Sequence, residues 1–402
     1  MRIFYIHQYF VTPKQGGATR SYHLAKGMVQ HGLDVEMITT HAEDFYDFKI
    51  IDGIKVHYLP VEYSQKMGFF KRVWAFLGFV RQAKKLISKL PRPDYLYVTS
   101  TPLTTGLIGL WAKQKLAIPY IFEVRDLWPD APIQVGVIKN ALLKRYLWAL
   151  EKKIYRQALK IVALSPGIAN AIRSKVPTAE VSIIPNFADL SIFQIAPKAP
   201  EILQKFELQD RLTIIYAGAI GKVNALHELV ELASRKPYQF LIMGEGSELN
   251  SLKQQAINHN LTNVRFFSFG SKLQVQELMT CADMAFISFE RLPVFKTNSP
   301  NKFFDALAMG KAILINQKGW VWELVKSQKL GLYHDTSNVN KTIQQLEELA
   351  QNPTLLKDMQ RNARQLAESY FNSDVAVAKV LHVLDPQQFP AAINDEAYIR
   401  TA

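Results

Sequence analysis

The 402-residue chain has one cysteine, Cys281, so no internal disulfide can form, and the composition suits a reducing compartment. It lacks any apolar run near the ~20 residues that span a bilayer; the longest, such as residues 73–80, fall well short. Residues 1–7 are too short an apolar stretch for a signal peptide and read as a first strand. A soluble or membrane-peripheral protein is therefore expected. The nine histidines are scattered, without metal-ligand spacing, so no metal site is expected. Neither a Gly-x-Ser-x-Gly elbow nor a Gly-x4-Gly-Lys-Ser/Thr loop occurs, which argues against a serine hydrolase of that type and a P-loop NTPase. No tandem repeat or low-complexity tract is present.

Acidic residues are scarce in the first half. Residues 1–190 hold 26 Lys and Arg against 14 Asp and Glu; the remainder holds 22 against 21, so nearly all of the net charge of +13 lies in the N-terminal half. That asymmetry points to an anionic partner: nucleic acid, an anionic membrane or a polyphosphate. Residues 66–89 carry seven basic residues and no acid around Phe69, Phe70, Trp74, Phe76 and Phe79, and residues 139–160 carry seven basic residues and one acid. Basic helices with aromatics suit anionic lipid, although core-packed helices with solvated faces read the same way. Nucleic acid is disfavoured because no recognition module accompanies the charge.

Short β-branched runs alternate with helical patterns. Strands are predicted over 2–7, 35–39, 55–59, 95–99, 119–123, 161–164 and 181–185, then over 212–217, 239–243, 264–267, 284–287 and 312–315. Continuous rather than alternating apolar runs indicate parallel strands buried on both faces, so the class is α/β and the series runs twice. A proline-marked linker near 188–208 divides the chain into domains of 1–190 and 191–370, with a helix over 371–385 and a loose tail over 386–402.

In such sheets, ligands bind beyond the carboxyl ends of strands. Asn298-Ser299-Pro300-Asn301-Lys302-Phe303-Phe304-Asp305 reads as a loop and a helix start, with Ser299 as cap and Pro300 in the first turn. Such a start attracts anions; Lys302 adds a cation for phosphate, and Asp305 a carboxylate on the same face for ribose hydroxyls. An amphipathic helix with two solvated charges is the plain alternative. Gly218 and Gly221, with Lys222, could admit a phosphate to the backbone, while Gly244 and Gly246 form half of a dinucleotide fingerprint whose third glycine is Leu249. In the first half, Gly16 and Gly17 precede a helix, where a turn at positive φ is the competing explanation. Arg125 and Asp126 follow the strand ending at Glu123; Arg125 could serve a site or pair with Glu123 or Asp126 for structure.

Taken in order, Gly16-Gly17, Val124-Arg125-Asp126-Leu127-Trp128-Pro129, Leu164-Ser165-Pro166-Gly167, Ile184-Pro185-Asn186, Tyr216-Ala217-Gly218, Gly244-Glu245-Gly246 and Pro300-Asn301-Lys302-Phe303-Phe304-Asp305-Ala306-Leu307-Ala308 resemble the GT-B glycosyltransferases, in particular family 4. The likeness is to the bacterial branch that builds lipid-linked surface polysaccharides, and it runs through roughly residues 1–380. It implies two Rossmann-like, doubly wound domains facing a cleft, with the donor on the C-terminal domain, the acceptor on the N-terminal one, and the last helix crossing back. It further implies a retaining, metal-independent EC 2.4 enzyme with no cofactor beyond its nucleotide-sugar co-substrate. The donor would be a UDP-sugar, N-acetylated amino sugars included, and the acceptor a polyprenyl-diphosphate-linked glycan. The enzyme would be cytoplasmic, peripheral at the inner face of the plasma membrane. Lys222, Lys302 and the Ser299 helix start would hold the diphosphate, whereas an inverting transfer would use Asp126 or Glu123 as base.

Two positions depart from the family pattern. Thr297 stands where a glutamate often lies eight residues before Asp305, so Asn298, Ser299 or backbone would contact the donor sugar. Arg125 stands where histidine is common, which suits an acceptor phosphate. A nucleotide-sugar 2-epimerase of the same architecture and a binding or scaffold protein without turnover are the alternatives.

Overall fold

A computed structural model describes residues 1–64, 67–268 and 270–391 of the chain. Two compact units emerge: one is built from Met1–Thr12, Ala18–Pro185 and the stretch from Ala376, the other from Pro13–Gly17 and Asn186–Val375.

The first unit is an eight-stranded sheet. Its strands are β1 (Arg2–Ile6), β2 (Asp34–His41), β3 (Asp47–Ile51), β4 (Ile54–Pro60), β5 (Tyr95–Thr99), β6 (Tyr120–Val124), β7 (Lys160–Ala163) and β8 (Val181–Ile183), in the order β3-β4-β2-β1-β5-β6-β7-β8. All pairs are parallel except β3–β4. Ile3, Phe4, Tyr5 and Ile6 are wholly buried, which is why β1 reads as a continuous apolar run. The order reverses at β1, so the switch point, where a doubly wound sheet opens a crevice, lies between the carboxyl ends of β1 and β5.

The second unit holds β9 (Thr213–Ala217), β10 (Gln239–Met243), β11 (Val264–Phe267), β12 (Met284–Ile287), β13 (Ala312–Ile315) and β14 (Gly331–Tyr333), in the parallel order β11-β10-β9-β12-β13-β14. Its switch point lies between β9 and β12. The α/β class with two parallel-sheet domains is thus the observed architecture.

Two strands escaped the sequence reading. β3 is an antiparallel edge strand whose exposed Phe48, Lys49 and Ile50 break the buried-run pattern. The turn that joins it to β4 carries Asp52 and Gly53 at φ 49° and 82°, an Asp-Gly hairpin signal present in the sequence. β14 is a three-residue edge too short to register.

The C-terminal helix Ser373–Leu384 enters the first unit at Ala376. A Cβ at Gly27, in helix Arg20–Gln30, would lie 2.3 Å from a Val377 methyl, so the two helices meet where only glycine fits. Lys160 Nζ donates to the Val383 carbonyl at 2.9 Å. The expected loose tail is corrected over residues 386–391. Asp385 Oδ1 accepts the amides of Gln387 and Gln388 at 3.0 Å each, and Phe389 packs edge-on against His31. Residues 392–402 of that tail, and Lys66 of the first basic segment, lie outside the described residues.

Candidate active site

In the second unit, the loop after β9 carries Gly218 at φ 156°, and its amide donates to the Met243 carbonyl at 2.9 Å. A Cβ at Gly218 would meet Tyr216 Oη at 3.4 Å and Lys302 Cε at 3.6 Å, so this glycine opens space beside the lysine. Lys302, in helix Asn301–Ala308, donates from Nζ to Tyr216 Oη at 2.9 Å. The ammonium lies 4.2 Å from the Tyr216 ring centroid and 4.8 Å from that of Phe289, which follows β12. Tyr216 Oη donates onward to the Ala219 carbonyl, which fixes the ring. Among the described residues no carboxylate pairs with Lys302, and burial lowers its pKa to about 7. Two ring faces attract the ammonium form but supply no counter-charge, so the second switch point holds a lysine whose charge an anionic ligand would stabilise.

Asp305 lies one turn further along, 8% exposed, with Oδ2 2.6 Å from Lys272 Nζ. Burial raises its pKa, and Lys272 opposes that rise. Oδ1 makes no hydrogen bond among the described residues. Lys302 and Asp305 share the lining of a cavity of about 20 Å³ with Ile215, Ala217, Val275 and Met279, room for about one water. Lys272 is the residue sequence reasoning missed. Its signal was a cation opening helix Lys272–Thr280, just beyond β11, behind the Ser271/Gln274 capping box.

Several expected roles need correction. Ser299 does not cap the helix: Pro300 is the N-cap residue, and no side-chain bond caps the turn. The Ser299 hydroxyl instead accepts the Asn186 amide at 3.0 Å, and its carbonyl accepts Asn186 Nδ2 at 2.6 Å. Pro300 sits in extended conformation (φ −77°, ψ 125°), which moves the helix start to Asn301. The Gly221 amide is taken by Asn224 Oδ1 at 3.2 Å, and Lys222 stands exposed in the short 3-10 turn Lys222–Asn224 rather than opening an α-helix. Gly244 and Gly246 also meet a packing demand. A Cβ at Gly244 would lie 1.9 Å from the Gly218 carbonyl oxygen, and one at Gly246 would lie 2.1 Å from that of Ile220. Thr297 Oγ1 donates to the Val294 carbonyl, and the Asn298 carbonyl accepts Trp320 Nε1.

In the first unit, Glu123 is not an available base. Its carboxylate accepts Arg20 Nε at 2.9 Å, Tyr97 Oη at 3.0 Å and Thr99 Oγ1 at 2.9 Å. Burial would raise its pKa, but the Arg20 guanidinium overrides that and holds it below the ordinary value. Arg20 also donates to the Ile184 and Pro185 carbonyls, tying β6 to the end of the domain.

With Glu123 engaged by Arg20, Arg125 donates instead to His7 Nε2 at 3.2 Å, and its amide donates to Ser100 Oγ at 3.0 Å. A guanidinium only donates, so Nε2 is the acceptor and His7 Nδ1–H donates to Ser21 Oγ at 2.7 Å. Burial, then Arg125, keep His7 neutral by pushing its pKa well below the ordinary value. Asp126 makes no hydrogen bond among the described residues, and burial raises its pKa. His7, Ser100 and Arg125 therefore converge on the first switch point, with a carboxylate of raised proton affinity beside them. Gly16 and Gly17 take φ 75° and 82°, and the Gly16 amide closes a turn onto the Pro13 carbonyl. The turn explanation accounts for both.

Two doubly wound sheets, each with polar and charged groups at its switch point, define an α/β protein with a candidate ligand site at each sheet. Family models sharpen that class: a glycosyl transferase 4-like domain matches residues 15–186, and the glycosyl transferases group 1 domain matches residues 198–366. The chain belongs to the family 4 glycosyltransferases of the GT-B fold. A probable glycosyltransferase, WbjE, of Pseudomonas aeruginosa is 21% identical over 58% of this chain and 60% of its own length. The alpha-galactosylglucosyldiacylglycerol synthase of Streptococcus pneumoniae is 20% identical over 60% of this chain and 64% of its own length. The chain thus spans less than two thirds of these curated relatives.

Similar solved structures share the fold. Sucrose-phosphate synthase from Thermosynechococcus elongatus has a TM-score of 0.79 at 16% identity over 97% of this chain and 100% of that one. Anabaena HepE in complex with UDP-glucose has 0.72 at 15% over 96% and 99%. WaaG, a glycosyltransferase of lipopolysaccharide biosynthesis, has 0.69 at 14% over 96% and 100%.

Proposed function

We propose that this glycosyltransferase moves a sugar from a UDP-sugar to a polyprenyl-diphosphate-linked glycan, with retention and without a metal. The observation that carries the donor half is Lys302, which has no carboxylate partner among the described residues at the second switch point and faces the space that Gly218 leaves open. A diphosphate there supplies the missing counter-charge. UDP-glucose in the similar HepE structure supports a UDP-linked donor. The C1–O bond to the diphosphate breaks as the acceptor hydroxyl bonds to C1 on the same face. The hydroxyl proton passes to a leaving diphosphate oxygen, whose charge Lys302 and the first-turn amides of helix Asn301–Ala308 stabilise, with the exposed Lys222 within the same loop region. Asp305 takes the ribose hydroxyls through Oδ1 while Lys272 holds Oδ2.

For the acceptor, Arg125 beside neutral His7 suits a diphosphate. Helices Phe69–Ile87 and Ala141–Gln157 both flank Gly106–Leu116, and both begin at the carboxyl edge of the sheet. Phe70, Trp74, Leu142 and Tyr146 near those beginnings are 63–79% exposed, a tip suited to an anionic bilayer at the inner leaflet. Among the described residues no helix is long and apolar enough to cross a membrane.

Calorimetric titration of UDP, GDP and ADP in EDTA into wild type and Asp305→Ala tests the donor site. UDP-selective binding is expected, weakened ~10–150-fold by the loss of a charged hydrogen bond. Binding indifferent to Asp305 defeats it. Product analysis with donor alone separates transfer from 2-epimerisation, and tight UDP binding without turnover on any lipid-linked acceptor would indicate a scaffold.

A further inference from the structure

On the outer edge of the first unit, away from the switch point, a groove of about 670 Å³ runs between helix Phe69–Ile87 and the start of edge strand β3. Arg81 and Lys85, one helical turn and about 6 Å apart, and Lys89 in the turn that follows the helix form one rim. Leu59, Pro60 and Leu86 supply apolar surface, and among the described residues no acid lines it. Tyr46 forms the opposite wall and is pinned there: its hydroxyl donates to His57 Nδ1 at 2.7 Å, and His57 Nε2–H donates to Glu36 at 2.9 Å. Gln82 Nε2 donates to the Pro60 carbonyl at 3.1 Å and holds the helix against the end of β4.

A row of cations beside an apolar wall fits a ligand that is anionic at one end and apolar at the other. Exposed apolar residues lie along both flanking elements. Phe70, Trp74 and Leu77 share the helical stripe that becomes Arg81 and Lys85, and Phe48 and Ile50 share the face of Tyr46 along the strand. Lys84 is different. It turns inward over Trp111, with its ammonium 5.8 Å from the ring centroid, and burial lowers its pKa.

We propose that this groove binds one anionic phospholipid. Arg81, Lys85 and Lys89 hold the headgroup phosphate, and Leu59, Pro60 and Leu86 receive the glycerol end of the chains. The inference rests on the membrane reading above and deepens it from general charge attraction to a discrete site.

Gly78 supplies the decisive variant. It lines the groove, and a Cβ there meets only Val61, at 3.7 Å, so Gly78→Leu fills the groove without changing charge. The probes are monomeric dihexanoyl-phosphatidylglycerol, dihexanoyl-phosphatidylcholine and inorganic phosphate by calorimetry, with sedimentation on phosphatidylglycerol and phosphatidylcholine vesicles. Wild type is expected to bind the short-chain anionic lipid, and both Gly78→Leu and Lys85→Glu/Lys89→Glu are expected to weaken it at least tenfold. Lys152→Glu/Lys153→Glu, on the other basic helix, should not. Equal affinity for inorganic phosphate overturns the lipid assignment, as does equal binding of phosphatidylcholine. Vesicle binding by wild type with a flat short-chain titration overturns the groove and leaves the membrane reading standing. Short-chain binding with the expected variant losses, but no vesicle sedimentation, overturns the membrane reading and leaves the groove.

Discussion

Lys302 ties geometry to a measurable proton. With its pKa lowered to about 7 by burial, roughly one tenth of Lys302 is protonated at pH 8 in the free protein. A diphosphate oxygen ~4 Å from Nζ, at an effective dielectric constant of ~20, stabilises the ammonium by about 4 kcal/mol per charge, or about three pKa units. The bound-state pKa then returns toward the ordinary lysine range, and UDP binding at pH 8 draws in about 0.9 proton. The sign follows from linkage. Below pH 7 the lysine is charged in both states and contributes no slope. Above pH 7 binding must first protonate it, so Kd weakens by up to about tenfold per pH unit until the bound-state pKa is reached. Calorimetry at pH 8 in two buffers of different ionisation enthalpy reads the uptake directly, and Kd between pH 7 and 9 reads the slope. Lys302→Met should abolish both. Lys311, whose pKa burial lowers to about 8, donates to the Ala282 carbonyl away from this pocket, and the Lys302 variant controls for it. No uptake by wild type, or a slope that survives Lys302→Met, refutes the reasoning.

Two further outcomes follow from the first unit. Arg20→Ala strands the Glu123 carboxylate in a fully buried site and should cost about 3–5 kcal/mol in denaturant unfolding, with Glu123→Gln/Arg20→Met recovering part of it; a loss below about 1 kcal/mol would show the pair to be dispensable. Asp126→Asn tests stereochemical course. A retaining transfer that delivers the proton to the leaving diphosphate keeps the acidic limb of its pH–rate profile in this variant, whereas loss of that limb with a fall of 10²-fold or more in kcat would make Asp126 the base of an inverting enzyme.

What could be read before folding was whatever repeats along the chain. Buried parallel strands leave unbroken apolar runs, and the runs predicted to end at residues 7, 99, 123, 217, 243 and 287 lie within one residue of the observed strand ends, which located the candidate site loops. β3 leaves no such mark because its middle residues face water, and β14 is too short at three residues. Local signals also misled where a tertiary partner outbid a local one. Ser299 has every attribute of a cap, but Asn186, 113 positions earlier, takes its hydroxyl. At Gly244 and Gly246 the neighbouring loop's carbonyl oxygens add a packing demand for glycine that the sequence pattern did not reveal.

By itself, then, the sequence determined the α/β class, the doubling of the series, the basic bias of one half and the residues available at strand ends. Tertiary structure decided which of those residues stay chemically free. Glu123 is consumed by Arg20, whereas among the described residues Lys302 receives two ring faces and no carboxylate. The difference is physical: a side chain's charge is written in the chain, but its counter-charge and its exposure to water are supplied by segments as many as a hundred residues away, and only folding brings those together.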